Sequence, residues 1–159
     1  MIKKRILQIS SILLMILIFY FSAQPADDST ETSSRFCILL ARMLYPDYDL
    51  YDFSIREIIT DGLTFIVRKA AHFTEYAVLG CLFFLDFHHK KAGFPIAVLL
   101  TGLYACTDEF HQLFVSGRSG QLRDVAIDTC GGLCGAIAGF VLLCIWHYFR
   151  TYISLLKNK

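Results

Sequence analysis

The residues best suited to chemistry in this chain are carboxylates, imidazoles and guanidinium groups that recur at helical spacing. They are Arg68, His72 and Glu75 in one segment, Asp108, Glu109, His111 and Gln112 in a second, Arg118 after it, and Asp124 and Asp128 in a third. Spacings of three and four residues put side chains on neighbouring positions of one helix face. Carboxylate–histidine pairs at this spacing resemble the metal sites of helical bundles. A divalent metal held by His72, Glu75, Asp108 and His111 is therefore one possible occupant of the site.

Other roles for the same residues remain open. A phosphate group could be bound by the cations of these segments, Arg68, Lys69, Arg118 and Arg123. Ion pairs such as Arg118–Asp124 or Arg68–Glu75 could be purely structural, and the histidines could be neutral, hydrogen-bonded imidazoles. We find no Ser or Cys nucleophile with an obvious partner and no glycine-rich phosphate loop in the sequence. The pattern therefore indicates a site without naming a reaction.

The composition indicates which kind of protein must position these residues. Of 159 residues, 55% are hydrophobic and 18% are charged, against about 25% charged in a typical soluble domain. A soluble chain of this length could not bury so much apolar surface, so we expect a lipid bilayer around a single domain that covers residues 1–159. The net charge of +1 and the lack of a basic stripe argue against a nucleic-acid partner.

Four apolar segments are long enough to cross a bilayer, and we predict an all-α, polytopic bundle of transmembrane helices. They cover residues 6–22, 70–87, 92–110 and 125–149. The first segment follows basic residues, as a signal peptide would, but it is long and lacks a clean cleavage site. We therefore expect it to be a retained helix.

Residues 26–68 are predicted to form amphipathic helices on the outer side of the membrane. Asp27, Asp28 and the polar run from Ser29 provide helix-capping chemistry, and an apolar stripe that includes Phe36 and Leu39 follows. Ser54 with Glu57 predicts a capping box at the start of another helix.

Small residues in the last segment predict a close helix–helix contact. Gly131, Gly135 and Gly139 lie four residues apart, which lets two backbones approach each other in lipid. Cys130 and Cys134 share this helix, but a second ligand pair for zinc is lacking, so we favour packing over metal binding for them.

Basic residues are unevenly distributed between the two sides of the predicted bundle. The side of the termini carries eight of them, Lys3, Lys4, Arg5, Lys90, Lys91, Arg150, Lys157 and Lys159, and a single acid, Asp86. The positive-inside rule therefore predicts cytoplasmic termini. All the candidate site residues then reach the opposite, extracytoplasmic face.

Three stretches resemble the VanZ-like family. They are FYFSAQ at 19–24, RKAAHFTEYAVLG at 68–80 and YACTDEFHQLFVSGRSGQLRDVAIDTCGGLCG at 104–135. Charged motifs of this density are unusual in membrane helices, which makes the second half of the resemblance specific. Ser116 departs from the proline expected before the Gly–Arg pair.

The resemblance implies a small multi-pass protein of the bacterial plasma membrane, whose namesake is linked to resistance to the glycopeptide teicoplanin. It implies no particular reaction. We therefore expect an envelope protein that binds a glycopeptide or a cell-wall lipid intermediate at its outer polar site. The alternatives are a metal-assisted enzyme acting on a phosphorylated lipid headgroup, and a structural scaffold.

Overall fold

The structure, a computed structural model, describes the backbone of residues 2–157. The side chains of residues 2–3, 27–32 and 157 are outside that description, and so is the predicted capping role of Asp27, Asp28 and Ser29. The helices are α1 (Ile2–Ser22), α2 (Ala26–Leu44), α3 (Phe53–Phe87), α4 (Gly93–Gln112) and α5 (Leu122–Lys157), with a 3-10 turn at Tyr48–Leu50. The described chain is all-α, as predicted, and contains no strand.

Three of the described helices are long and apolar enough to cross a membrane. They are α1 over Lys4–Ser22, α3 over its full length, and α5 over Leu122–Leu156. The 20-residue α4 is not among them, although the sequence predicted a span there. Asp108 and Glu109 lie in its last two turns, and charged residues lower the hydropathy of a segment.

Helix α3 corrects the prediction that the amphipathic region ends before the second span. It runs without interruption from Phe53 to Phe87. The residue at its N-cap is Asp52, which makes no side-chain capping bond, so the predicted Ser54–Glu57 capping box is wrong. No proline interrupts this stretch and Gly62 alone does not break it, since a single glycine costs a helix only about 1 kcal/mol. Its 35 residues give a length of about 52 Å, more than the roughly 30 Å of a hydrocarbon core.

The four long helices alternate in direction. Helix α1 runs parallel to α4, because the Tyr104 hydroxyl donates to the Met15 carbonyl at 2.6 Å and Gln112 Nε2 donates to Ser22 Oγ at 2.7 Å. Helix α3 runs parallel to α5, since Lys69 in the middle of α3 pairs with Asp124 at the start of α5, and Phe84 contacts Phe140 further along both helices, with ring centroids 6.2 Å apart. Helix α4 runs antiparallel to α5, because Thr101 contacts Gly132, whereas Glu109 near the end of α4 accepts from Gln121 just before α5 begins.

The predicted glycine ladder of α5, Gly131, Gly135 and Gly139, faces α3, which confirms the predicted close contact. A Cβ atom added to Gly131 would lie 2.4 Å from the Phe73 carbonyl oxygen, and one added to Gly135 would lie 1.7 Å from that of Ala77. Cβ atoms normally stay more than 3 Å from such atoms. The two backbones therefore touch directly along this face.

Helix α2 packs against α3 through small residues and not through its predicted apolar stripe. Cys37 and Ala41 are buried, whereas Phe36, Leu39 and Met43 are more than half exposed. A hydrogen bond of 2.7 Å between the hydroxyls of Tyr48 and Thr60 joins the turn after α2 to α3. All six cysteines are free thiols, and Cys130 and Cys134 lie exposed on α5.

Candidate functional site

Three helices bring a histidine and two aspartates together where α1 ends. His72 of α3, Asp108 of α4 and Asp128 of α5 each offer a ligand atom, and these atoms lie within 4.8 Å of one another. His72 Nδ1 lies 3.8 Å from Asp128 Oδ2. Asp108 and Asp128 are only 2% and 1% exposed. We call this group the His–Asp–Asp cluster.

The cluster carries buried acceptors that the described residues leave unsatisfied. Asp108 Oδ1 and Asp128 Oδ2 are buried without a hydrogen-bond partner among the described residues. A buried carboxylate without compensation is costly, so it must gain a proton or a cation. One imidazole nitrogen and two carboxylate oxygens suit a divalent cation of the Mn²⁺, Fe²⁺ or Zn²⁺ type. A metal ion with bonds of about 2.1 Å holds two ligand atoms roughly 3.4 Å apart. Small side-chain rotations would therefore bring the three ligand atoms of the cluster within bonding distance of such an ion.

A polar cavity opens beside the cluster. Its volume is about 330 Å³, and both His72 and Asp128 line it. The other polar side chains on its wall are Asp61, Thr64, Arg68, Lys69, Glu109, Gln112, Arg118, Ser119, Gln121 and Asp124. Cationic and anionic groups thus share one cavity of a size that accepts a small ligand or a headgroup.

Two acidic residues beside the cavity stabilise the start of α5. Asp124 forms a short ion pair with Lys69 of α3, and its other oxygen lies 4.0 Å from Arg123 Nε. Glu109 Oε2 accepts a hydrogen bond of 2.9 Å from the Gln121 backbone N–H. Negative charge near a helix N-terminus is favourable. These carboxylates therefore hold α5 against α3 and α4.

Arg118 secures the end of α1 and does not pair with Asp124 as the sequence suggested. Its Nε donates to the Gln24 carbonyl at 3.1 Å, and its Nη2 donates to the Phe21 carbonyl at 3.2 Å. The last carbonyls of a helix lack partners and attract cations. Burial lowers the pKa of Arg118 from its ordinary value, and nearby Arg68 adds to the effect. These carbonyl contacts offset part of that burial cost.

Two residues of the predicted metal quartet lie outside the cluster. The His111 ring stacks on Phe19 of α1, with centroids 4.4 Å apart, and its Nδ1 is buried. Glu75 lines a neighbouring cavity of about 290 Å³ that it shares with Arg68 and His72. Residues three apart in a helix point about 60° apart, and this difference lets His72 and Asp108 reach the cluster while Glu75 and His111 contact other neighbours. Asp128 is the third member of the cluster instead.

Two contributors were absent from the predicted set of site residues. Tyr76 is fully buried, and its side chain interacts with Asp108. Its position four residues after His72, on the same helix face, is the signal that could have found it. Ser22 accepts from Gln112, whose Nε2 is also 3.4 Å from Asp108 Oδ2. Nothing in its own segment marks Ser22 as part of a site.

Fold and site together define a helical membrane protein with a polar, histidine- and carboxylate-containing cavity at one end of its bundle. The VanZ/LLP1 family model matches residues 8–147. This match covers most of the chain, and the chain belongs to that family. No curated protein and no solved structure matches it.

Proposed function

We propose that the chain crosses the membrane four times, with cytoplasmic termini and an external His–Asp–Asp cluster. Support for α4 as the fourth span comes from its contacts with α1. Tyr104 bonds to Met15 and Gln112 to Ser22, so α4 covers the same depth as the α1 span. Support for the orientation comes from the basic residues on the side of the termini. The exposed apolar side of α2 would then lie on the outer membrane surface.

We further infer a function in the bacterial cell envelope. The polar cavity binds a divalent cation and, with it, the phosphorylated headgroup of a cell-wall lipid intermediate at the outer leaflet. Binding of that lipid by the protein reduces the access of glycopeptides such as teicoplanin to it. The observation that carries this proposal is the meeting of His72, Asp108 and Asp128 beside Arg68 and Arg118. Ionisable groups inside a membrane bundle are rare and commonly mark a functional site.

A metal-binding measurement joined to a susceptibility assay tests this function. The detergent-purified protein and its His72→Gln and Asp128→Asn variants are titrated with Mn²⁺ and Zn²⁺, and the same variants are expressed in a teicoplanin-sensitive bacterium. Each variant removes one ligand atom, so we expect a loss of affinity above the roughly 10–100-fold that outer-shell changes cause. We also expect loss of teicoplanin protection. Asp→Asn keeps the shape and removes a buried charge, so the protein should stay folded.

The matched control is Asp49→Asn, which removes an exposed carboxylate paired with Arg42 far from the cluster. This control should bind metal and protect the bacterium from teicoplanin as well as the unchanged protein does. Equal metal affinity in Asp128→Asn and Asp49→Asn would refute the cation site. Full protection by both cluster variants would refute the proposed function.

A second candidate is a metal-assisted hydrolase or transferase acting on a phosphorylated lipid headgroup. The observation in its favour is that Arg68 and Lys69 share the cavity with the cluster, as a phosphate clamp beside a Lewis acid would require. Release of phosphate from a polyprenyl diphosphate by the metal-loaded protein, and its loss in Asp128→Asn, would favour this candidate over simple binding. Binding without turnover would exclude it.

A further inference from the structure

A second cavity of about 330 Å³ lies at the end of the bundle opposite the His–Asp–Asp cluster. It is formed where α3 ends, α4 begins and α5 passes both. One wall carries the basic side chains His88, Lys90, Lys91 and His147. The other wall carries the aromatic rings of Phe84, Phe94 and Phe140, with centroid distances of 6.0 Å and 6.2 Å from Phe84. Among the described residues that line this cavity, none is acidic.

Local contacts hold the basic groups at the rim. Lys90 Nζ lies 4.8 Å from the centre of the Phe87 ring, a cation–π distance. His88 Nδ1 lies 2.7 Å from the Leu85 carbonyl oxygen, and His147 Nδ1 lies 3.3 Å from a carbonyl one turn back. A carbonyl can only accept, so both imidazoles donate from Nδ1 in these contacts.

The acid in the last turn of α3 does not neutralise this rim. Asp86 is 7% exposed and accepts a hydrogen bond of 3.4 Å from Gln8 of α1. Its carboxylate is therefore directed toward α1, whereas the cavity lies among α3, α4 and α5. The rim keeps an excess of positive charge beside an aromatic wall.

We propose that this cavity binds the headgroup of an anionic phospholipid, with the phosphodiester at the basic rim and the first acyl methylenes against the three phenylalanines. Basic pockets between transmembrane helices at the cytoplasmic boundary recognise such headgroups. The volume lies within the range of ligand sites, and α3 and α5 are both candidate spans that end or pass here. The site is distinct from the polar cavity and does not depend on its function.

Binding of phosphatidylglycerol to the detergent-purified full chain tests the proposal. The variant Lys90→Gln/Lys91→Gln removes both lysine charges at exposed positions, so folding should be retained. Each lysine near an anionic surface contributes about 1 kcal/mol. We expect the double variant to bind phosphatidylglycerol about 30-fold more weakly, which is about 2 kcal/mol at 1.4 kcal/mol per tenfold. Phosphatidylcholine should bind weakly to both proteins.

The matched control is Lys4→Gln/Arg150→Gln, which removes two exposed charges near the same end of the bundle outside the cavity. This control should keep the affinity of the unchanged chain. An equal loss in the control would mean that the lipid responds to overall charge, and the site would be refuted. Equal affinity for phosphatidylcholine, or binding of free glycerol phosphate as tight as that of the lipid, would also overturn it.

Discussion

The close contact between α3 and α5 makes Gly131→Ala the most informative single change. The added methyl would lie 2.4 Å from the Phe73 carbonyl oxygen, whereas ordinary contacts begin at 3.4 Å. The two backbones must therefore separate by about 1 Å at this point. Overpacking of this kind costs about 1–3 kcal/mol. In a chain of this size each kcal/mol corresponds to roughly 2–4 °C, so we expect the melting temperature to fall by about 2–12 °C.

The same displacement should weaken the His–Asp–Asp cluster, because Phe73 follows His72 and Gly131 lies one turn after Asp128. His72 Nδ1 is already 3.8 Å from Asp128 Oδ2. An increase of about 1 Å should lower the affinity for a divalent cation by about 10–100-fold, as indirect changes at metal sites do. The melting temperature, by circular dichroism in detergent, and a metal titration are the two measurements.

The control for both measurements is Gly62→Ala in the exposed half of α3, where an added Cβ meets no atom within 4 Å. Alanine in a helix interior is favoured over glycine by about 1 kcal/mol, so this variant should be slightly more stable and bind metal normally. If Gly131→Ala melts like Gly62→Ala, the helices do not touch at this point. The inferred link between helix spacing and the site is then wrong.

Two further predictions concern the ion pair at the start of α5 and the topology. Lys69→Gln or Asp124→Asn alone should lower stability by about 2 kcal/mol, less than the 3–5 kcal/mol of a fully buried pair, because Lys69 is 27% exposed. The double variant should melt closer to the unchanged protein, and an additive loss would contradict a direct pair. In a cysteine-free background, a membrane-impermeant thiol reagent applied to intact cells should label Leu50→Cys and spare Lys90→Cys. The opposite pattern would reverse the proposed orientation.

Much of the fold could be predicted because its signals are local. The apolar runs of α1, α3 and α5 indicate candidate spans on length and composition alone. The ladder at Gly131, Gly135 and Gly139 predicted the contact with α3, and the structure confirms it. The boundary placed before residue 70 was wrong, since charges such as Arg68 and Lys69 lower the hydropathy of a segment without breaking its helix. The apolar stripe of α2 was recognised, but its partner was not, since periodicity shows that a face is apolar and not what covers it.

The sequence by itself determined which residue types could form a site and that they lie at one end of the bundle. Only the tertiary structure decided which of them meet. Spacing within one helix pairs Asp108 with His111, yet the rotation of α4 turns Asp108 toward His72 and Asp128 and turns His111 toward Phe19 of α1. That rotation depends on contacts between helices distant in sequence, such as Gly132 against Thr101. A residue's own segment carries no record of these contacts, and for this reason Asp128, and not Glu75 or His111, completes the cluster.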